Sequence, residues 1–243
     1  MKAIAASITK IYQLKIKIDG VHPPLWRRLE ICGDWDLLSA ADAIKSVFGW
    51  SDHHMCEFII KKRRCGDGND WVRIDTEQEY QERSSQIYKQ KLGIAQMRKL
   101  LKDLRHEIEK LEEELSRSSS NDSIPTLQEL VPRVRTKFRF IFDLGDCWKH
   151  TVEVEKIKPP EPGALYPRCT AGAGANPIED IGGAWRLSQI IEVIKNPSHP
   201  GRKGLQELLE FAGDYDPEDF SVEKTNQKIA AYFPKRKPLI PSN

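Results

Sequence analysis

Residues 137–143 (KFRFIFD) and 148–154 (WKHTVEV) both alternate apolar and polar side chains, and only the four residues LGDC separate them. A period of two sends successive side chains to opposite faces of a strand. Two such runs around a short Asp/Gly break therefore predict an antiparallel hairpin, the firmest element in the chain. On the second run Trp148, His150, Val152 and Val154 share a face, and the valines mark it as the core side. The same texture recurs near the start. Ile11–Ile18 (IYQLKIKI) sets Tyr12, Leu14, Ile16 and Ile18 against Gln13, Lys15 and Lys17; DGVHPP supplies turn chemistry, and LWRRLEI (25–31) reads as the returning strand. MCEFIIKK (55–62) predicts a third strand and WVRI (71–74) a short paired one.

Helical signals lie between and after these strands. Ser39 followed by Asp42 resembles a capping box for a short helix that carries Ile44, Val47 and Phe48 and stops at Gly49. Thr126 with Glu129 caps one or two turns that end at Pro132, and residues 185–195, 205–212 and 221–233 read as helices. Asn196–Pro197 and Asp216–Pro217 mark the breaks between them. Residues 158–183 are rich in Pro and Gly and lack periodicity, which predicts a long loop. PKRKPLIPSN (234–243) reads as a disordered tail.

From Glu77 to Arg117 there is no proline and Gly93 is the only glycine. Apolar residues at 87, 94, 97, 101, 104, 108, 111 and 115 form a heptad seam in which Gln90 fills the missing position. A helix over 85–116 would be about 48 Å long. Its first half is basic and its second half acidic, so an antiparallel pair would set opposite charges against each other, whereas a parallel pair would face Glu107 with Glu112. Self-association or docking on another helix through 85–116 and packing on the chain's own domain are equally compatible with the pattern.

Thirty-eight basic and 36 acidic side chains leave a net charge of +2, which points to no polyanionic partner and argues against nucleic acid. The longest apolar runs fall far short of the roughly 20 residues that span a bilayer. MKAIAASITK has no sustained apolar segment, consistent with an untargeted, cytoplasmic start. Five scattered cysteines argue for reduced thiols, buried or metal-binding, rather than a disulfide framework.

The candidate chemistry centres on GWSDHHMCEF (49–58). In a strand His54 and Cys56 share a face. Should the later hairpin lie in the same sheet, His150 could join them and Cys169 could add a fourth donor, a set that suits tetrahedral zinc. The plainer reading is a core strand with half-buried polarizable residues, since the spacing matches no zinc motif. Asp143, Asp146 and His150 surround the LGDC turn, and Glu179 with Asp180 lies in the long loop. These carboxylates could bind a ligand or divalent ion or do acid–base work, yet Asp and Gly are also ordinary turn residues. Trp148 shares the face of His150, and Arg27, opposite in facing to Arg28, could stack or pair with an anion, an edge salt bridge being the plainer use. AGAGAN lacks the Lys-Ser/Thr pair of a phosphate loop.

Several stretches together resemble the plasmid pRiA4b ORF-3-like family: YQLKIKIDGVHPPLWRRLEI, GWSDHHMCEF, FIFDLGDCWKHTVEVEKI, PPEPGALYPRCTAGAGANPIEDIGGAW and GDYDPEDF, in that order. The resemblance implies one α+β domain, with a mixed or antiparallel sheet packed against helices. That domain would run over 8–233, interrupted by an inserted helix and Ser-rich linker at 77–120. The chain departs from the family's pattern at Cys56, Asn176 and Ile181, which weakens a metal site carried over from it. The family comes without an assigned activity, and no complete catalytic set stands in the chain. The expected role is therefore a binding or accessory module. A metal-dependent, hydrolase-like enzyme using His54, Cys56 and His150 is the alternative. A nucleic-acid accessory factor, suggested by the family's mobile-element setting, is a further one.

Overall fold

A period-two burial pattern is satisfied when strands share one covered face, and the described residues do this with a seven-stranded sheet. The computed structural model describes residues 9–63, 69–75 and 124–241. The strands are β1 (Ile11–Ile18), β2 (Trp26–Cys32), β3 (Cys56–Arg63), β4 (Asn69–Asp75), β5 (Lys137–Phe142), β6 (Trp148–Lys158) and β7 (Arg168–Ala173). Their spatial order is β4-β3-β5-β6-β1-β2-β7, and every pairing is antiparallel. The helices are α1 (Leu37–Phe48), α2 (Leu127–Leu130), α3 (Gly183–Lys195), α4 (Gln206–Ala212) and α5 (Val222–Tyr232). Helix α1 packs against β2 and α5, α5 also against β7, and α3 against β6. The architecture is α+β, with an antiparallel sheet.

Register explains the core. Phe58 pairs with Phe140, Phe140 with His150, and His150 with Ile18, so one buried row crosses four strands. The next row runs Phe138, Val152, Ile16, Arg27 and Gly172. Each large apolar side chain so withdrawn from water contributes roughly 1.5–3 kcal/mol.

Helix α1 differs from expectation at its start. Asp36, not Ser39, is the N-cap, and its carboxylate accepts from Ser39 N at 2.7 Å. The Asp36 carboxyl group, placed just before the helix, captures the orphan N–H, and Ser39 becomes the third helical residue. Gly49 ends the helix in the left-handed region at φ 75°. At the later cap, the Glu129 carboxylate accepts from both N and Oγ1 of Thr126.

Residues 158–183 are not all loop, because β7 forms there against β2. The segment predicted as a disordered tail is tied down as far as it is described: Gly163 N donates to Ile240 O at 2.8 Å and Arg236 Nη1 to Pro167 O at 2.7 Å. The heptad segment 85–116 and the whole of the 77–120 insertion lie outside the described residues.

Arg27 shows how tightly the second row is built. Its side chain is wholly buried, and its donors reach Val47 O (3.3 Å), Trp26 O and Ala173 O (both 2.9 Å) and Asn176 Oδ1 (3.0 Å). The guanidinium lies 4.3 Å from the Phe220 ring centroid. Burial lowers its pKa to about 10, so it remains a cation at neutral pH, solvated by carbonyl dipoles. Gly172 is required beside it, since a Cβ there would stand 2.6 Å from Phe220 and 2.9 Å from Arg27 Cδ. Arg28, on the other face, makes a half-buried pair with Glu155 at 2.6 Å. Replacing Arg27 by Ala strands several buried acceptors and is expected to cost about 3 kcal/mol or more, against about 1 kcal/mol or less for Arg28→Ala. Urea unfolding of both variants checks this, and equal losses would contradict the assignment.

Candidate functional site

The loop between α1 and β3 is fixed residue by residue. Trp50 enters the core, stacked on Phe142 (centroids 4.6 Å apart) and tilted against Trp148 (5.0 Å). Ser51 donates from N and Oγ to the two oxygens of Glu179, at 2.5 and 2.6 Å. Asp52 accepts from Lys45 Nζ at 2.5 Å and from Tyr232 OH. Lys45 is nearly buried, also bonded to Asp42 at 3.0 Å, and these carboxylates hold its pKa above the usual lysine range despite burial. The chain therefore leaves the loop with His54 in a defined place.

That place is the mouth of the β5–β6 turn. The His54 ring meets Phe142 edge-on at 5.6 Å. Its Nδ1 lies 3.6 Å from Asp143 Oδ2, and its Nε2 lies 3.4 Å from Asp180 Oδ1 and 3.8 Å from Glu179 Oε2. Asp143 sits at φ 53°, donates its N–H to Met55 O at 2.8 Å, and spends Oδ1 on Gly145 N at 2.9 Å and Asp146 N at 3.3 Å. Its Oδ2 is the oxygen turned to His54. Asp146 Oδ2 accepts from Gly182 N and Gly183 N at 3.0 and 3.1 Å, which sews the turn to the start of α3. Gly183 allows this approach, because a Cβ there would lie 2.4 Å from Asp146 O. Asp180, at φ 61°, then presents a largely exposed carboxylate to the imidazole.

His54–carboxylate separations of 3.4 to 3.8 Å exceed ordinary hydrogen bonds. Asp143 lies beside Nδ1, and Asp180 and Glu179 lie beside Nε2, so the carboxylates flank both nitrogen edges of the ring. One donor atom each from His54, Asp143 and Asp180 falls within 4.8 Å of the others, and no other such group of His, Cys, Asp or Glu occurs among the described residues.

The four sequence-proposed donors do not converge. Strand β3 begins at Cys56, so His54 precedes it and turns to the carboxylates, while Cys56 enters the core opposite Phe142. His150 is wholly buried. Its Nε2 accepts from Trp50 Nε1 at 3.3 Å; because indole only donates, Nδ1 carries the proton and donates to Phe140 O at 3.2 Å. Both nitrogens are thus engaged. Cys169 lies on β7, five positions across the sheet from β3, with its thiol donating to Ala171 O at 3.4 Å and its pKa raised by burial. Trp148 is core, and Arg27 is buried behind α1 rather than open to a ligand. Sequence reasoning missed Ser51, Asp52, Lys45, Tyr232 and Gly183, which position the cluster. The Gly182–Gly183 pair was the one local signal for any of them.

A family model described as "Plasmid pRiA4b ORF-3-like protein" matches residues 10–224. The chain belongs to the plasmid pRiA4b ORF-3-like family. A relative in Sinorhizobium fredii, "Uncharacterized protein y4hQ", is 21% identical over 224 residues, which is 91% of this chain and 92% of that one. Among solved structures, the crystal structure of a protein of unknown function, MM3350, from Methanosarcina mazei Go1 is similar, with a TM-score of 0.61 and 24% identity. It covers 90% of this chain and 98% of that one, and this likeness speaks to the fold.

Burial holds the His150 pKa down at about 4, so the folded state binds fewer protons than the unfolded state between there and the free value of about 6.5. The stabilisation from neutral His150 is complete above about pH 6.5 and is lost as pH falls toward 4. Its magnitude is roughly 2–3 kcal/mol between pH 7 and 4.5. Urea unfolding across that range is expected to show the loss, and a His150→Gln variant to show a correspondingly flatter profile.

Proposed function

We propose that this ORF-3-like chain is a binding module whose working part is the loop cluster around His54, and that the cluster takes a divalent metal ion through His54, Asp143 and Asp180. The observation that carries this is the clustering of one donor atom each from His54, Asp143 and Asp180 within 4.8 Å of one another. One nitrogen and two oxygens suit zinc, and also manganese or iron(II), and three protein donors leave at least one position open on the exposed Asp180 side. An open position is where a partner's or ligand's donor group would enter.

Binding is favoured over hydrolysis by Glu179. A metal ion lowers the pKa of its bound water by itself, and a general base free to take the proton assists hydrolysis further. Glu179 is the remaining carboxylate beside His54, and both its oxygens accept from Ser51. The proposal retains His54 from the sequence-derived set and replaces Cys56, His150 and Cys169 with the two aspartates. Association through 85–116 and a cytoplasmic setting remain parts of the proposed role. No helix among the described residues is long and apolar enough to cross a membrane.

Equilibrium dialysis of metal-stripped protein against Zn²⁺ or Mn²⁺ tests the reading. One ion per chain is expected, with at least tenfold weaker retention in His54→Ala and Asp143→Asn and unchanged stoichiometry in folded Cys169→Ala. Retention that survives loss of His54, or no retention at all, contradicts it.

A further inference from the structure

Away from the His54 cluster, a cavity of about 430 Å³ opens where the end of β2, the loop before α1, the loop before β7 and the C-terminal segment meet. This is the size range of small-molecule pockets. Its walls are aromatic: Trp35 stacks on Phe233 with centroids 5.7 Å apart and planes 26° apart, and Tyr166 and Tyr232 complete them. Cys32 lies buried in the wall. Burial and nearby Asp34 push its thiol up to about 12, so it is a neutral, apolar surface at physiological pH.

The rim has one sign of charge. Lys235, Arg236 and Lys237 line it in succession, and no carboxylate does so among the described residues. Lys235 and Lys237 are exposed, and among the described residues no carboxylate pairs with either. Arg236 has one donor tied to Pro167 O, which fixes the segment and orients the guanidinium. Among the acids on the neighbouring elements, Glu30 and Glu161 each pair with Lys158 and Arg168 at 2.5–2.7 Å, and Asp34, near Cys32, accepts from Thr9 Oγ1 at 2.8 Å. Asp52 accepts from the Tyr232 hydroxyl on the far side.

We infer that this cavity is a binding site for a small aromatic acid, its ring lying among Trp35, Tyr166 and Phe233 and its anionic group meeting the Lys235–Arg236–Lys237 rim. The stacked Trp35–Phe233 pair, with Tyr166, gives an aromatic surface on which a planar body can pack. Three cations without a facing carboxylate select a negative charge and disfavour neutral or cationic ligands of the same shape. The volume holds one or two fused rings and excludes a folded partner element. The site shares no proposed ligand residue with the His54 cluster, although Tyr232 lines the cavity and also holds Asp52.

Titration calorimetry on the full chain, with 2-naphthoate and the neutral 2-naphthalenemethanol as probes, decides the matter. Naphthoate is expected to bind one per chain and at least tenfold more tightly than the alcohol. The double variant K235E/K237E changes only exposed side chains, and an unchanged melting temperature verifies its fold. It should lose at least tenfold in naphthoate affinity while its alcohol affinity stays within twofold. Phe233→Ala should weaken both probes, and His54→Ala neither. The inference is overturned by equal affinity for acid and alcohol, by naphthoate binding that survives charge reversal or disappears in His54→Ala, or by no saturable binding of either probe at millimolar concentration.

Discussion

The hydrogen bond from Trp50 to His150 links the two halves of the architecture that matter for function. His150 sits at the centre of the buried row formed by Phe58, Phe140 and Ile18, and its unprotonated Nε2 would be an unsatisfied polar atom in an aromatic core without the indole N–H. Meeting that need draws Trp50 inward just past the end of α1 and sets the starting point of the loop that carries Ser51, Asp52 and His54. The sheet thus fixes the loop through a core hydrogen bond, and Lys45, Tyr232 and Glu179 hold the next two residues. A histidine so placed needs little reorganisation to act as a ligand, which is the advantage of building a site on rigid elements.

Much of the sheet was legible from the sequence because β1, β2, β5 and β6 each bury one face, and alternation is the direct record of that. β7 left no such record. Its sequence, RCTAGA, is made largely of small residues, and Gly172 is there to admit Phe220 and the Arg27 side chain rather than to pack a core. Helix α1 was found, but its start was misjudged, because Ser39 and Asp42 imitate a capping pattern that Asp36 in fact supplies.

The site was legible only in part. His54, Asp143, Glu179 and Asp180 were all visible as candidates, yet the grouping was wrong because alternation assumes that the strand already runs through His54. The strand begins two residues later, and that offset frees the imidazole from the core face and turns it toward the carboxylates. Contacts such as Ser51 with Glu179, 128 residues apart, follow from the sheet order and have no local signature. Arg27 illustrates the converse: a residue type associated with anion recognition serves here as a buried cross-link among backbone carbonyls.

The proposed role rests on His54, Asp143 and Asp180 forming a single divalent-ion site. The most direct measurement is an anomalous difference map from crystals grown with Mn²⁺ or Zn²⁺, collected on both sides of the metal absorption edge. One strong peak is expected about 2.1 Å from a His54 ring nitrogen and within bonding distance of both aspartates. Ordered density for all three side chains without a peak between them, or a metal held instead by the cysteines, would contradict it.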